Sequence, residues 1–330
     1  MDFDALFTIA ASVVVVGVII LFLCVIFVNA STYPIITRSK KEKQFYDPIS
    51  GEFLDFPSIA DPPTVSLSLV VPAYDEQERL PPMLDEAYEF LQTRCQSVKD
   101  FTYEIIIVSD GSRDRTVAVA HEYAERWGTD KVRVLSLNPN RGKGGAVRLG
   151  VLSSRGAVIL FADADGATKF ADLAKLEASL QTIVKNDYIK EPESVAKAQA
   201  LVVGSRSHLE EESLATRSWL RNLLMHGFHF IVWAFAVRTI KDTQCGFKLF
   251  TRSTAEVLFS SVHVERWAFD VELLYLAELF GIPLAEIPVN WTEIDGSKVV
   301  PVLSWIQMGR DVFLIWIKYL IGAWKIARKP

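Results

Sequence analysis

The chain is poor in cysteine. Its three, Cys24, Cys95 and Cys245, are odd in number and unpatterned, which argues against a disulfide framework or a zinc site and suits a reducing compartment. It has no excess of positive charge: the formal net charge is −5, so no electrostatic footprint for nucleic acid is visible. No internal repeat runs through its 330 residues, a length that fits one large α/β domain with appendages. Charge is missing altogether from Ala5 to Pro34, and Ser12–Val28, SVVVVGVIILFLCVIFV, is almost wholly apolar. Only Asp2 and Asp4 precede that run, where a secretory signal peptide would carry positive charge.

About 20 apolar residues span a bilayer. Residues 1–37 therefore read as an uncleaved N-terminal transmembrane anchor, with the span at about 7–28. A positive mean hydropathy of +0.21 fits a chain tied to a membrane. Arg38, Lys40, Lys41 and Lys43 flank the run, so the positive-inside rule places everything after 38 in the cytosol, in a single-pass topology. Asn29 and Asn290 open glycosylation triplets, one at the membrane edge and one on the cytosolic side, and neither is counted as a site. Residues 38–65 are basic, proline-bearing (Pro48, Pro57, Pro62, Pro63) and non-periodic, and read as a linker.

Beyond the linker, apolar runs alternate with helical spacing. Leu67–Ala73, Tyr103–Val108, Val132–Leu137, Val158–Phe161 and Ala200–Val203 read as strands. Leu80–Arg94, Arg113–Trp127, Ala146–Ser154 and Phe170–Lys185 read as helices between them, and residues 186–199 as a surface loop. The alternation predicts a Rossmann-like α/β domain over 66–302, with a mostly parallel central sheet flanked by helices. Thr216–Val237 opens on Arg217 and Arg221 and then turns aromatic. It is short for a span and reads as a core or membrane-interface helix, its His226 and His229 as structural. In 303–330, Arg310, Lys318 and Lys325 share one stripe beside Trp305, Trp316, Tyr319 and Trp324. The uncharged runs there are too short to cross a bilayer, so amphipathic helices lying on the membrane are expected.

The stretch AVILFADADG (157–166) organises the domain. Val158–Phe161 is too continuous for a strand with one wet face, and it stops at Asp163 and Asp165. Two residues apart in an extended chain, the two carboxylates point the same way. Their repulsion is what a divalent cation relieves, and Mg²⁺ and Mn²⁺ take carboxylate oxygens while keeping positions open for phosphate or water. An isolated D-x-D more often only ends a strand. Here other polar signatures also follow strands, where open α/β sheets bind ligands. Pro72-Ala73-Tyr74-Asp75-Glu76 follows the first, Asp110-Gly111-Ser112 the second, Arg141–Gly145 the third. Asp110 can accept from a uracil N–H, Tyr74 can pack on the base, and Lys143 can reach a phosphate. Together these are the needs of a nucleoside diphosphate.

VVPAYDEQERL, VSDGSRDRT, NRGKGGAVRLG, FADADG, VGSR and KDTQCGFKLF cover most of Leu67–Arg252, and in them the chain resembles the family 2 glycosyltransferases with a GT-A fold. More narrowly it is similar to the polyprenyl-phosphate sugar synthases, with WTEIDGSKV (Trp291–Val299) following as expected. The resemblance implies transfer of glucose from UDP-glucose to dolichyl phosphate at the endoplasmic reticulum membrane, with Mg²⁺ or Mn²⁺ on Asp163 and Asp165. It implies a nucleotide site at Pro72, Ala73, Tyr74, Glu76, Asp110, Lys143, Asp163 and Ala164. It also implies a sugar and acceptor site at Gln244, Cys245, Gly246, Ser297 and Lys298. Arg206, Arg217 and Arg221 are the cations suited to the acceptor phosphate. A mannosyl or N-acetylglucosaminyl transferase, a membrane polysaccharide synthase and a non-enzymatic nucleotide-binding scaffold are the alternatives. The residues themselves leave the sugar and the oligomeric state open.

Overall fold

The computed structural model describes residues 3–30, 38–209, 227, 231–294 and 303–325. It opens with helix α1 (Phe3–Ala30), a 3-10 turn (Lys41–Lys43) and a hairpin of β1 (Gln44–Asp47) and β2 (Glu52–Asp55). The domain continues through β3 (Val65–Ala73), α2 (Leu80–Ser97), β4 (Tyr103–Asp110), α3 (Thr116–Trp127), β5 (Val132–Leu137), α4 (Lys143–Leu152) and β6 (Gly156–Ala162). Then come α5 (Leu173–Val184), α6 (Pro192–Lys197), β7 (Leu201–Ser205), β8 (Phe247–Thr251), α7 (Arg252–Ser261), α8 (Phe269–Leu279), β9 (Leu284–Pro288) and α9 (Leu303–Leu320).

The run expected to be a doubly buried strand is β6, buried along its whole length and fourth in a seven-stranded sheet of order β5-β4-β3-β6-β8-β7-β9. β3 pairs in parallel with β4 and β6, β4 with β5, and β7 with β9. β8 alone runs antiparallel, between β6 and β7. Alternate side chains along each strand feed two apolar cores, one per face. Leu69, Val71, Ile105, Ile107 and Leu160 pack toward α2 and α5, and Val70, Ile106, Ile159, Phe161 and Phe250 toward α4, α7, α8 and α9. This is the two-layer cover that a mostly parallel sheet requires.

Three expectations change. The 38–65 segment is not featureless: Phe45 is buried and β1 lies against β5. The 186–199 loop contains α6, whose Val195 joins the core. The charged stripe on the C-terminal segment does not form. Lys318 is 1% exposed, and Met308, Val312, Ile315 and Tyr319 of α9 complete the α7–α8 core, so this face is committed to protein. Among the described residues of this segment, Phe313, Leu320 and Ile321, away from that face, show apolar surface.

Residues 12–26 of α1 are all exposed and mostly apolar, and α1 touches α9. Among the described residues no helix is long and apolar enough to cross a membrane. Of Thr216–Val237, residues 231–235 are helical and most of the rest, with His226 and His229, lies outside the described residues.

Candidate active site

The loops after β3 and β4 are sewn to one another. Asp75 adopts a left-handed backbone (φ 53°), and its Oδ1 accepts the Arg113 amide at 2.7 Å. The Glu76 amide donates to Thr116 Oγ1 (2.8 Å) and the Gln77 amide to Asp114 Oδ2 (3.1 Å), while the Arg115 amide returns a bond to Gln77 Oε1 (3.0 Å). Glu76 holds the Arg79 guanidinium through both carboxylate oxygens, at 2.5 and 2.6 Å. The expected nucleotide residues Pro72, Ala73, Tyr74 and Glu76 therefore share one rigid rim, with Pro72 and Tyr74 half-exposed on it.

Asp110 ends β4 and is 3% exposed. Its Oδ1 accepts the Arg141 amide (2.7 Å) and its Oδ2 the Gly142 amide (2.8 Å). Burial pushes the Asp110 carboxyl up, and these two amides with the Arg141 charge pull it down, the net direction being up. Asp110 thus first organises the glycine-rich turn, and only its remaining lone pairs are there for a base. Gly142 is needed in that turn: its φ is +86°, and an added Cβ would lie 2.6 Å from the Glu265 carbonyl oxygen. The turn delivers Lys143 as first residue of α4, a helix N-terminus that favours anions.

Lys143 Nζ reaches both oxygens of Asp163, at 2.7 and 2.9 Å. Burial alone would lower the Lys143 pKa, and the charges of Asp163 and Asp270 override it, so the ammonium is held charged. Asp165 accepts the Ala167 amide at 3.0 Å. Its carboxyl is raised, first by burial and then by the Asp163 charge, against the pull of Lys143 and Arg79. Beneath the pair, Lys248 and Asp270 form a buried salt bridge at 2.5 Å, and Lys248 Nζ also donates to the Cys245 carbonyl at 2.6 Å. The floor is thus an alternation of charges in which each carboxylate of the buried tier has a lysine.

Behind Asp163 stands Gly246, whose carbonyl accepts the Asp163 amide at 3.0 Å. A Cβ on Gly246 would lie 1.9 Å from Asp163 Oδ2, so only glycine leaves that carboxylate where it is. Asp163 and Asp165 offer oxygen alone, the donor set of Mg²⁺ and Mn²⁺, and their mutual repulsion is of the kind a cation relieves. Among the described residues no third His, Cys, Asp or Glu joins them in a ligand group. The pair fits a hard divalent cation, which Asp163 and Asp165 would hold through their carboxylate oxygens.

Comparison with known proteins follows the same lines. Residues 68–258 match the sequence model of Glycosyl transferase family 2. Dolichyl-phosphate beta-glucosyltransferase of Drosophila melanogaster is 54% identical over 325 residues, covering 98% of this chain and 95% of the relative. The chain belongs to glycosyltransferase family 2, among its dolichyl-phosphate beta-glucosyltransferases. The human enzyme of that name is 54% identical over 93% of this chain and 92% of its own length, and the Saccharomyces cerevisiae one 40% identical over 82% and 79%. Glucosyl-3-phosphoglycerate synthase from Mycobacterium tuberculosis, solved with UDP, shares the fold at 16% identity and a TM-score of 0.51, covering 81% of this chain and 82% of its own.

The cations expected for the acceptor phosphate differ in standing. Arg206 follows β7, and its guanidinium grips Asp242 at 2.8 and 2.9 Å, with a third bond from its own amide at 2.8 Å. The Asp242 carboxyl is driven up by burial and down by Arg206, the latter prevailing. The guanidinium also lies 5.5 Å from the Trp291 ring. Arg206 is therefore oriented by Asp242 and Trp291, and only the edge turned away from Asp242 can meet a phosphate. Arg217, Arg221, Ser297 and Lys298 lie outside the described residues. Gln244 donates to Met308 Sδ of α9 at 3.1 Å, so the C-terminal helix reaches the site motif. Cys245 is fully buried and its thiol is pushed up to about 12 by desolvation, which removes it as a nucleophile.

Sequence reasoning missed Asp242, Lys248, Asp270 and the role of Trp291. One signal was present: a lysine inside the apolar run Phe247–Phe250 is a buried charge that demands a partner.

Proposed function

We propose that this chain transfers glucose from UDP-glucose to dolichyl phosphate with inversion, at the cytosolic face of the endoplasmic reticulum membrane. The observation that carries the reading is the 54% identity over 98% of the chain to an enzyme named for that reaction. The side chains support it. The rim made by the β3 and β4 loops and Asp110 receives the nucleoside, and Lys143 the diphosphate. Mg²⁺ or Mn²⁺ on Asp163 and Asp165 supplies charge neutralisation for the departing UDP. Gln244, half-buried, faces the sugar pocket with Cys245 and Gly246 buried behind it, and Ser297 and Lys298 are assigned to the acceptor from the sequence motif.

The nucleophile is an acceptor phosphate oxygen, already anionic near neutral pH because a phosphomonoester's second pKa is about 6. A bond forms from that oxygen to the anomeric carbon as the bond from that carbon to the UDP oxygen breaks, so the configuration inverts. No proton must leave the nucleophile, and no carboxylate is needed as a base. The difficulty is that two anions must meet. Arg206, with Arg217 and Arg221, screens the acceptor phosphate, while Lys143 screens the donor.

The acceptor is a lipid, and α1 is the anchor that brings the domain to it. Its residues 12–26 are exposed and mostly apolar, the surface an anchor offers to lipid. The exposed face of α9, with Phe313, Leu320 and Ile321, lies in the membrane interface.

Donor competition tests the reading. Purified full-length protein with dolichyl phosphate and labelled UDP-glucose is challenged with unlabelled UDP-glucose, UDP-N-acetylglucosamine and GDP-mannose. UDP-glucose alone should suppress labelled product at low concentration. Stronger suppression by GDP-mannose or UDP-N-acetylglucosamine would move the chain to another polyprenyl-phosphate transferase.

A further inference from the structure

The segment between α1 and the domain holds a buried acid that the reaction does not use. Glu42, in the 3-10 turn, is 2% exposed. It accepts the Ser39 amide (2.6 Å), the Asn138 amide (3.2 Å) and Arg141 Nη2 (2.8 Å). Arg38 brackets the turn from the other side, donating from Nε to the Glu42 carbonyl (2.6 Å) and from Nη2 to Ser153 Oγ at the end of α4 (2.8 Å). A carboxylate with so little solvent is stable only when paired and hydrogen-bonded. Burial pushes the Glu42 carboxyl up, and the two amides and the Arg141 charge bring it below the ordinary range.

The partners of Glu42 are informative. Asn138 and Arg141 are the two ends of the turn that leads into α4, and Asn140 between them donates from Nδ2 to the Asp110 carbonyl at 2.7 Å. The Arg141 and Gly142 amides then hold the Asp110 carboxylate, and the next residue, Lys143, holds Asp163. On the opposite flank the Gly145 amide donates to the Glu265 carbonyl at 3.0 Å. The turn is thus held between Glu42 on the membrane-proximal segment and the chain before α8. Direct contacts run unbroken from Arg38 and Glu42 through Arg141 to Asp110, and along the backbone to Lys143 and Asp163.

We infer that Glu42 is a positioning residue for the donor: acting through Arg141, it sets the 138–143 turn, so affinity for a nucleoside diphosphate depends on the segment that leads out of α1. The inference rests on the reading of that turn as the donor's phosphate cradle. It gives the membrane-proximal segment a role in donor binding distinct from tethering. Glu42→Gln keeps the shape and one acceptor oxygen but loses the charge that holds Arg141, and Glu42→Asp keeps the charge with a shorter reach.

The test uses full-length protein in detergent, with UDP and Mg²⁺ as the binding probe and initial rates for both substrates. Glu42→Gln should weaken UDP binding and raise the UDP-glucose KM, each about tenfold, the scale of a charge-assisted hydrogen bond partly transmitted. Its kcat and its dolichyl phosphate KM should stay within about twofold, and Glu42→Asp should recover part of the loss. Wild-type UDP affinity in Glu42→Gln overturns the inference, as does an equal loss in kcat and in both KM values, which marks a general loss of structure. If Glu42→Gln does not fold, Arg141→Lys is read instead with the same expected split, and wild-type UDP affinity there overturns the inference. Lys143→Ala serves as the control on the cradle. If it leaves UDP affinity intact, the cradle reading and the inference both fall. If it abolishes UDP affinity while Glu42→Gln does not change it, the inference falls alone.

Discussion

The two sides of the site are built by different means. On the β3–β5 side, the Glu76–Arg79 pair apart, carboxylates bind backbone N–H groups: Asp75 takes the Arg113 amide, Asp114 the Gln77 amide, Asp110 the Arg141 and Gly142 amides. On the β6–β8 side, charges pair with charges: Lys143 with Asp163, Lys248 with Asp270, Arg206 with Asp242. Amide-bound acids fix the shape of a loop, which suits recognition of a rigid base and ribose. Paired charges in a dry interior are poised differently. Each pair neutralises itself at rest; Lys143 and Arg206 are the partly exposed cations that an entering phosphate can meet, while Lys248–Asp270 stays buried. In the proposed function, the first construction serves selectivity for the nucleotide and the second tolerance for two anionic substrates.

Four expectations probe this contrast, from the largest effect to the smallest. Asp165→Asn or Asp163→Asn should lower kcat by about a thousandfold, the upper range for loss of one preorganised charge contact in a dry site. Thermal unfolding should move by only a few degrees, since neither residue belongs to the buried Lys248–Asp270 tier. Comparable turnover in wild type and variant would remove the acid pair from the chemistry.

Gly246→Ala should come next, at about a hundredfold in kcat with donor KM less affected. The added methyl meets Asp163 Oδ2 at 1.9 Å, so the carboxylate must leave its place. A crystal structure of the variant with Asp163 unmoved would contradict this.

Arg206→Lys should depress kcat/KM for dolichyl phosphate about tenfold while sparing the UDP-glucose KM, because a point charge replaces a fork. The same change loosens the Asp242 pair. The folded-state pKa of Asp242 lies below the unfolded one, so the pair's stability is fully present above the ordinary aspartate value of about 4. It is lost as pH falls through the lowered folded value. The melting-temperature gap between wild type and Arg206→Lys should therefore be constant from about pH 6 to 8 and close at strongly acid pH. A gap that widens on acidification would place the stabilisation elsewhere.

Cys245→Ala should matter least, within about threefold in kcat, since a thiol pushed up to about 12 supplies no thiolate. A loss on the scale of the aspartate variants would restore Cys245 as a chemical participant.

Much of the donor side is legible in the sequence because its signals are local. Continuous apolar runs end in acids or glycines, and β3, β4, β5 and β6 fall within a few residues of the expected bounds. The β6–β8 side depends on partners far apart in the chain. Arg206 and Asp242 are separated by 36 residues, and Lys248 finds Asp270 22 residues on, across a helix and a turn. Periodicity carries no trace of such pairs. β8 is short and antiparallel, and within a motif already read for its chemistry it does not announce itself as a strand. The stripe through Arg310, Lys318 and Lys325 fails for a related reason. Helical spacing shows which residues share a face, not what packs against it, and Tyr319 with Trp324 roofs the Lys318 ammonium into the protein. The hairpin of β1 and β2 hides because proline and exposed residues mask a segment whose buried side chains are only Glu42, Phe45 and Ile59.

The most direct test is the fate of the sugar. Full-length protein is incubated with labelled UDP-glucose and dolichyl phosphate, and the label is partitioned between water and organic solvent, before and after EDTA and then with Mg²⁺ or Mn²⁺ restored. Label should enter the organic phase as a lipid-linked glucose, fall to background with EDTA, return with the cation, and stay at background throughout in Asp165→Asn. Label that remains in water as free glucose, or lipid product formed undiminished in EDTA, would contradict a cation-assisted transfer to a lipid phosphate at Asp163 and Asp165.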